Sequence, residues 1–317
     1  MMTDSPPPPP LTRLVPKDIH YQVNADAIPP NMMEAFHEFR LDDETAAFLD
    51  HCTSESIIWQ YVKSAAASFL KGFGYSPTDS NAVVDRGKMF VISKEQAAFL
   101  LGGAENWRGK RILDIGAGDG NVTSVFAALA GSSRLVTATE AAKEMVKRLQ
   151  EKGFDAVPAR LDLIGDLKCY YGNGNGREPP DYDIVCCFNV LDRCSHPLSL
   201  LKSIHQIMSR PSSTSSTSST SSTKTYLLLT LVLPFFAFTE DATGQHQPVE
   251  KMRLTRMKSC SGMCCRNFER NLVELWGVLE SLGFVVEKWG RIPYLCEGDG
   301  KRSYYVLDDA VLLLRVK

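Results

Sequence analysis

The 317-residue chain has no long apolar run: its longest, residues 226–238, holds 13 residues and includes Pro234. A membrane-spanning helix needs ~18 or more, so a buried strand is the better reading and no membrane span is expected. Basic charge is not in excess either. Lys plus Arg is 35 against 37 for Asp plus Glu, a net charge of −2, which argues against a nucleic-acid binder. A paired cysteine framework is missing as well. The nine cysteines (Cys52, Cys169, Cys186, Cys187, Cys194, Cys260, Cys264, Cys265, Cys296) are odd in number and irregular in spacing, as reduced thiols are. Cys260, Cys264 and Cys265 have no second Cys/His pair at finger-like spacing, so no metal site is expected. The first residues, with Asp4 and five prolines at 6–10, contain neither the basic nor the apolar region of a signal peptide. They read as a stiff, polyproline-like start to a cytoplasmic chain.

What is present is a globular composition, 44% hydrophobic, on a chain long enough to bury ~75% of its unfolded surface. Residues 1–45 read as a proline-rich, largely disordered tail, with one helical candidate around 32–39. Residues 46–317 read as a single catalytic domain whose helical lead-in covers 46–109. In the lead-in, Ile57, Ile58, Tyr61, Val62, Ala65, Ala66, Phe69 and Leu70 recur at helical spacing. Ser93 with Gln96 forms a capping box for a helix through Leu101. From Lys110 onward, short apolar strands at 111–115, 135–139, 156–159 and 183–188 alternate with amphipathic helices. The last of these helices starts at Pro197. Such alternation predicts a mainly parallel sheet covered on both faces, a Rossmann-like α/β fold. Residues 212–223 repeat Ser-Ser-Thr, so 211–225 is expected to be a disordered insertion. A polar loop is expected over 239–265, followed by a helix carrying Phe268, Leu272, Leu275, Trp276, Leu279 and Leu282. Two closing strands, 284–290 and 304–316, predict a β-hairpin at the sheet edge.

The chemistry lies in residues 111–120, Arg-Ile-Leu-Asp-Ile-Gly-Ala-Gly-Asp-Gly. An apolar strand ends at Asp114, three glycines follow, and a helix opens near Asn121. Glycine lets backbone approach a ligand closely. Glu140, 24 residues after Gly116 at the next strand's end, is placed to accept both hydroxyls of a ribose. Nicotinamide cofactors and S-adenosylmethionine both carry that ribose. Asn121 stands where a dinucleotide fingerprint wants its third glycine, and Asp114 and Asp119 would repel a pyrophosphate. A cationic ammonium and sulfonium suit the same acids.

These residues resemble class I S-adenosylmethionine-dependent methyltransferases. Arg86-Gly-Lys-Met-Phe-Val, Asn189-Val-Leu-Asp-Arg-Cys194, Arg291-Ile-Pro-Tyr-Leu-Cys-Glu-Gly-Asp299 and Tyr304-Tyr-Val-Leu-Asp-Asp-Ala-Val311 narrow the resemblance. They are similar to the DREV, or methyltransferase-like, family of protein-histidine N-pros-methyltransferases. The resemblance spans roughly residues 52–317, apart from the Ser/Thr insertion and the 239–265 loop. It implies a seven-stranded sheet and S-adenosylmethionine as cofactor. It also implies methylation of the pros nitrogen of histidine in His-x-His motifs of protein substrates. Asp114, Gly116 and Gly118 would shape the methionine end of the pocket, Glu140 would hold the ribose, and Asp162 would lie near the adenine. Asn189 would touch cofactor and substrate, Tyr294 would close the site, Asp192 would accept a proton from the target imidazole, and Arg86 would pair with the methionine carboxylate. Family members often work at the endoplasmic reticulum or mitochondria.

The residues also admit plainer roles. Asp192 and Arg193 fit an internal salt bridge, Tyr294 a packed aromatic, and His196 and His205 surface positions. A methyltransferase for a small molecule or RNA, or a catalytically silent cofactor-binding module, stays open at this point. A monomer is expected.

Overall fold

The computed structural model describes residues 16–54, 88–159, 162–175, 178–210, 224–241, 244–254, 266–298 and 302–317. The helix expected over 57–70, Arg86, the Ser/Thr tract at 212–223, and Cys260, Cys264 and Cys265 lie outside the described residues. In chain order, α1 (Pro30–Met33), α2 (Asp43–Ser54), β1 (Met89–Phe90) and α3 (Lys94–Leu100) precede the alternating core. That core comprises β2 (Ile112–Ile115), α4 (Asn121–Ala130), β3 (Val136–Glu140), α5 (Lys143–Glu151) and β4 (Asp155–Pro158). It continues with α6 (Leu163–Asn175), β5 (Ile184–Phe188), α7 (Pro197–Met208) and β6 (Tyr226–Val232). A small hairpin follows, β7 (Thr239–Asp241) with β8 (Gly244–His246), then α8 (Arg266–Ser281), β9 (Phe284–Glu297) and β10 (Tyr304–Val316).

The main sheet runs β1-β9-β10-β6-β5-β2-β3-β4. From β6 to β4 neighbouring strands are parallel, whereas β10 lies antiparallel between β6 and β9. The continuous apolar strands bury both faces. On one face Leu113, Val185, Leu227 and Leu229 meet Leu201 and Ile204 of α7 and Leu272 and Leu275 of α8. On the other, Ile112, Ile184, Cys186 and Leu228 meet Trp107, Phe126 and Leu149. Each such large side chain removed from water contributes ~1.5–3 kcal/mol, so these two layers hold the sheet in place.

Local signals set the helix ends. The Ser93 hydroxyl accepts the Gln96 N–H at 3.0 Å, and the Gln96 side chain accepts the Ser93 N–H at 3.1 Å. Pro197 occupies the first turn of α7, where its missing N–H costs nothing. The Glu250 carboxylate takes the Ser199 N–H at 2.9 Å, capping α7 from a distant loop.

The structure departs from the sequence reading in several places. The sheet has eight strands rather than seven, because β1 pairs with β9 at Cys296 and Leu295. Two residues are too few to carry a periodic signal. The disordered tail expected over 1–45 is overturned for residues 16–45. Ile19, Tyr21, Ile28, Met32 and Phe39 are buried in the core. The helix expected around 32–39 is the single turn α1, and residues 35–37 instead pair with β9. Trp289 N–H donates to Ala35 O at 2.9 Å, and His37 N–H donates to Trp289 O at 2.8 Å. Tertiary pairing overrides local propensity there. β9 runs on through Pro293 to Glu297, which the expected end at 290 missed. β1 pairs only with Leu295 and Cys296, so the stretch around Pro293 has an open side, and a strand edge tolerates a residue with no N–H. Among the described residues no helix is long and apolar enough to cross a membrane.

Candidate active site

β2 lies between β3 on one side and β5 on the other, so the winding of the sheet reverses there. In open α/β sheets the crevice at the carboxyl ends of such a strand pair binds ligands. The two turns that follow β2 and β5 form this crevice. After β2, Gly116 and Gly118 adopt φ of 70° and 55°, the left-handed region that side chains disfavour. A Cβ on Gly116 would stand 2.6 Å from Val190 Cγ2, so the two turns touch there. A Cβ on Gly118 would meet no atom within 4 Å, so that side of the turn is open to a ligand. The N–H groups of Gly116 and Ala117 both donate to Thr139 O, at 2.9 and 3.0 Å, and tie the turn to β3.

The acids divide by depth. Asp114 is 2% exposed and lies beneath the turn, its Oδ2 accepting the Thr123 hydroxyl at 2.6 Å. Burial pushes its carboxyl up to about 7; the Thr123 bond opposes this and the Glu140 charge adds to it. Glu140 stands beside the opening. Its Oε2 accepts the Gly118 N–H at 3.0 Å, and its Oε1 accepts those of Ala141 and Ala142 at 2.8 and 2.9 Å. Three backbone donors thus fix the carboxylate while lone pairs remain for a ligand's hydroxyls. The Asp119 carboxylate accepts the Asn121 N–H at 3.0 Å, capping α4. Asp162 is exposed, and its Oδ1 accepts the Gly165 N–H at 3.0 Å at the start of α6.

The other wall follows β5. Asn189 has φ of 53°, the one positive value outside glycine among the described residues. Its Nδ2 donates to Asp309 Oδ2 at 2.7 Å, while its Oδ1 is buried without a partner. Asp192 is 3% exposed. Its Oδ2 accepts the Arg193 Nε–H at 3.2 Å, and its Oδ1 is buried without a partner. Arg193 is half-exposed and lies over the Phe238 ring, 4.0 Å from its centroid. Burial raises the Asp192 carboxyl above the usual carboxylate range, and the Arg193 charge pulls it back. The Tyr294 hydroxyl donates to Met89 Sδ at 2.6 Å. Burial raises this phenol, and the nearby Cys296 and Asp309 raise it further. Asp309, fully buried on β10, is pushed well above the usual range by desolvation, an effect the Asn189 bond opposes.

The structure therefore gathers Asn189, Asp192 and Tyr294 near the buried Asp309, while Val190 touches the turn of Gly116 and Gly118, to which Glu140 is hydrogen-bonded and beneath which Asp114 lies. Both plain readings also hold in part: the Asp192–Arg193 pair exists, and Tyr294 is packed. His205 lies elsewhere, edge-on to Phe284 at 5.4 Å. His196 is the residue preceding α7, with its Nδ1 buried and unpartnered. Sequence reasoning gave no role to Asp309. The available signal was the acid pair Asp308-Asp309 ahead of an apolar run in the closing strand, where charge is rare unless paired.

The donor set separates the candidate cofactors. Carboxylates at Asp114, Asp119 and Glu140 around one glycine turn disfavour a pyrophosphate and favour a cation. The open space at Gly118 and the anchored Glu140 carboxylate fit the ribose and methionine portions of S-adenosylmethionine.

The chain is similar to several known proteins. A mitochondrial ubiquinone biosynthesis O-methyltransferase of Schizosaccharomyces pombe is 34% identical over 97 residues, 30% of this chain and 33% of that protein. The match thus spans about a third of that relative's length. A SAM-dependent methyltransferase from Aquifex aeolicus aligns with 65% of this chain and 82% of its own, at 15% identity and a TM-score of 0.35. An S-adenosylmethionine-dependent methyltransferase from Mesorhizobium loti aligns with 68% of this chain and 99% of its own, at 16% identity and a TM-score of 0.37. The DREV methyltransferase family matches residues 20–316, nearly the whole chain. That match places the chain in the DREV methyltransferase family.

Proposed function

We propose that the protein transfers the methyl group of S-adenosylmethionine to the pros nitrogen of histidine in His-x-His motifs of protein substrates. The observation that carries this reading is Asp192 Oδ1, a buried carboxylate oxygen without a partner beside the end of β5. A buried acceptor with an empty lone pair costs free energy unless a donor arrives to fill it. An imidazole N–H is such a donor.

The bound cofactor supplies an electrophilic methyl on a sulfonium. With that group in place, the pros lone pair of the target imidazole would form the new bond to the methyl carbon as the carbon–sulfur bond gave its electron pair to sulfur. For the pros nitrogen to attack, the proton must sit on the tele nitrogen. Asp192 accepts that tele N–H, which selects the tautomer and stabilises the imidazolium as it forms. Afterwards the proton passes to Asp192 or solvent. The raised Asp192 carboxyl suits this work, since burial makes it a better acceptor than an exposed acid. A substrate histidine with an ordinary pKa near ~6.5 is mostly neutral at pH 7, so no strong base is required. Asn189 and Tyr294 would line the same cavity, and Glu140 would hold the ribose hydroxyls. Asp162, which caps α6 beyond β4, would lie toward the adenine.

The test is incubation with labelled S-adenosylmethionine and a His-Ala-His peptide, with mass spectrometry locating the methyl. A methyl on the pros nitrogen is the expected result. Methyl found only on a small-molecule hydroxyl or on RNA, or no transfer at all, would overturn the reading.

A further inference from the structure

The Asn189 amide sits at the mouth of the crevice with two chemically opposite ends, and which end faces the reactants decides what it can bind. We infer that Asp309 is a positioning residue that fixes this choice, holding the amide with its NH2 group turned away and its oxygen toward the reacting groups. The inference rests on the reading of this crevice as the methyl-transfer site.

The argument begins with the backbone. Asn189 is held at φ 53° between its own N–H, which donates to Thr230 O at 3.1 Å, and the Val190 side chain that packs on Gly116. The left-handed conformation is unfavourable for a non-glycine residue, and it persists because the surroundings impose it. It also aims the side chain across the end of β6 toward β10. There Asp309 Oδ2 accepts from Nδ2 at 2.7 Å, a short bond of the kind charge assists. A carboxylate oxygen only accepts, so the NH2 end must be the one that faces it. Burial raises the Asp309 carboxyl strongly, and the Asn189 bond opposes that rise because it favours the ionised, accepting form.

The consequence is that Asn189 Oδ1, buried and unpartnered, is an obligatory acceptor. It points electron density at an incoming ammonium, sulfonium methyl or N–H. A flipped amide would present NH2 to the same groups and repel them. Asp309 touches none of the reactants in this account; it acts through Asn189.

Two variants and one spectroscopic reading test the inference. In protein carrying 15N only in asparagine, the Nδ2 pair of Asn189 (assigned by its loss in Asn189→Ser) should be shifted by its carboxylate partner and lose that shift in Asp309→Leu. That reading needs no substrate, so it stands apart from the identity of the methyl acceptor, which the wild-type peptide assay reports. Turnover in Asp309→Leu should fall at least ~10-fold while the melting temperature holds or rises, because a buried carboxylate is removed. The exchanged double variant Asn189→Asp/Asp309→Asn re-forms the bond with donor and acceptor swapped and again turns an oxygen to the site. It should recover turnover to within a few-fold of wild type. If Asp309→Leu does not fold, the double variant decides: a folded, inactive double variant overturns the inference. So does an unshifted Asn189 resonance in wild type, or wild-type turnover in Asp309→Leu.

Discussion

Asp114 should impose a pH dependence on both stability and cofactor binding, and its size follows from the structure. Its carboxyl is raised from 3.8 to about 7 by complete burial. Between those values the folded protein holds a proton that the unfolded chain releases. This group's stabilising share is therefore fully present below pH 4 and is lost as pH rises through 7. At ~1.36 kcal/mol per pH unit, the whole loss is ~4 kcal/mol, and the part between pH 5 and pH 8 is ~3 kcal/mol. Asp114→Asn keeps an oxygen for the Thr123 hydroxyl but has nothing to ionise. Urea unfolding at pH 5 and pH 8 should then show the variant gaining ~3 kcal/mol on wild type between the two, through a changed midpoint at constant slope. A cationic cofactor adds a second signature. It draws the Asp114 carboxyl down, so binding near pH 7 should release up to one proton, detected by calorimetry in two buffers of different ionisation enthalpy. Asp114→Asn should abolish that release. If the variant's stability relative to wild type were the same at both pH values, Asp114 would not carry the raised pKa and the argument would fail.

Glu140→Ala should weaken S-adenosylhomocysteine binding by ~1.5–3 kcal/mol, roughly 10- to 150-fold, because charge-assisted bonds to the ribose are lost. Calorimetry on the folded variant checks this, and unchanged affinity would remove the role. Asp192→Asn should keep cofactor affinity but slow single-turnover methylation of a His-Ala-His peptide by ~10²–10³. Arg193 is half-exposed while Asp192 is buried, so a purely structural pair would show itself as a large stability loss with normal turnover, which is the contrary result. In wild type the rate should also fall below pH 6 as the substrate histidine protonates.

The parallel half of the fold was legible because its signals are local and repeated. Strands β2, β3, β4 and β5 are short apolar runs separated by amphipathic helices with recognisable caps, and each expected span agrees with the structure to within two residues. The glycine turn and Glu140 were legible for the same reason, being a motif with fixed spacing along one stretch. What escaped depends on partners far away in sequence. β1 is anchored where the Glu297 N–H donates to Lys88 O at 2.8 Å and the Lys88 N–H donates to the Glu297 carboxylate at 3.0 Å. Residues 16–45 look like a tail because their buried side chains follow no period; they fit irregular gaps beside β9 and α8. Asp309 escaped because its partner, Asn189, is 120 residues away. The depth of Asp114 was hidden too. Nothing in a motif separates an acid that lines a turn from one that lies under it.

The pairing of residues 35–37 with β9 has a consequence for how the chain acquires its structure during synthesis. Trp289 Nε1 donates to Met32 O across 257 residues, and Arg291 reaches Gln22 O at 2.9 Å. These residues lack those partners until a ribosome has reached β9. Ile19, Tyr21, Ile28 and Met32 then wait as exposed apolar surface while the parallel strands assemble behind them. Contacts of such long sequence separation form slowly, because loop-closure entropy must be overcome before they return any free energy. β9 faces the complementary hazard, since an apolar strand edge without its cover invites pairing with another chain. Closure of residues 19–37 over β9 is thus the late step that turns an association-prone nascent chain into the folded protein.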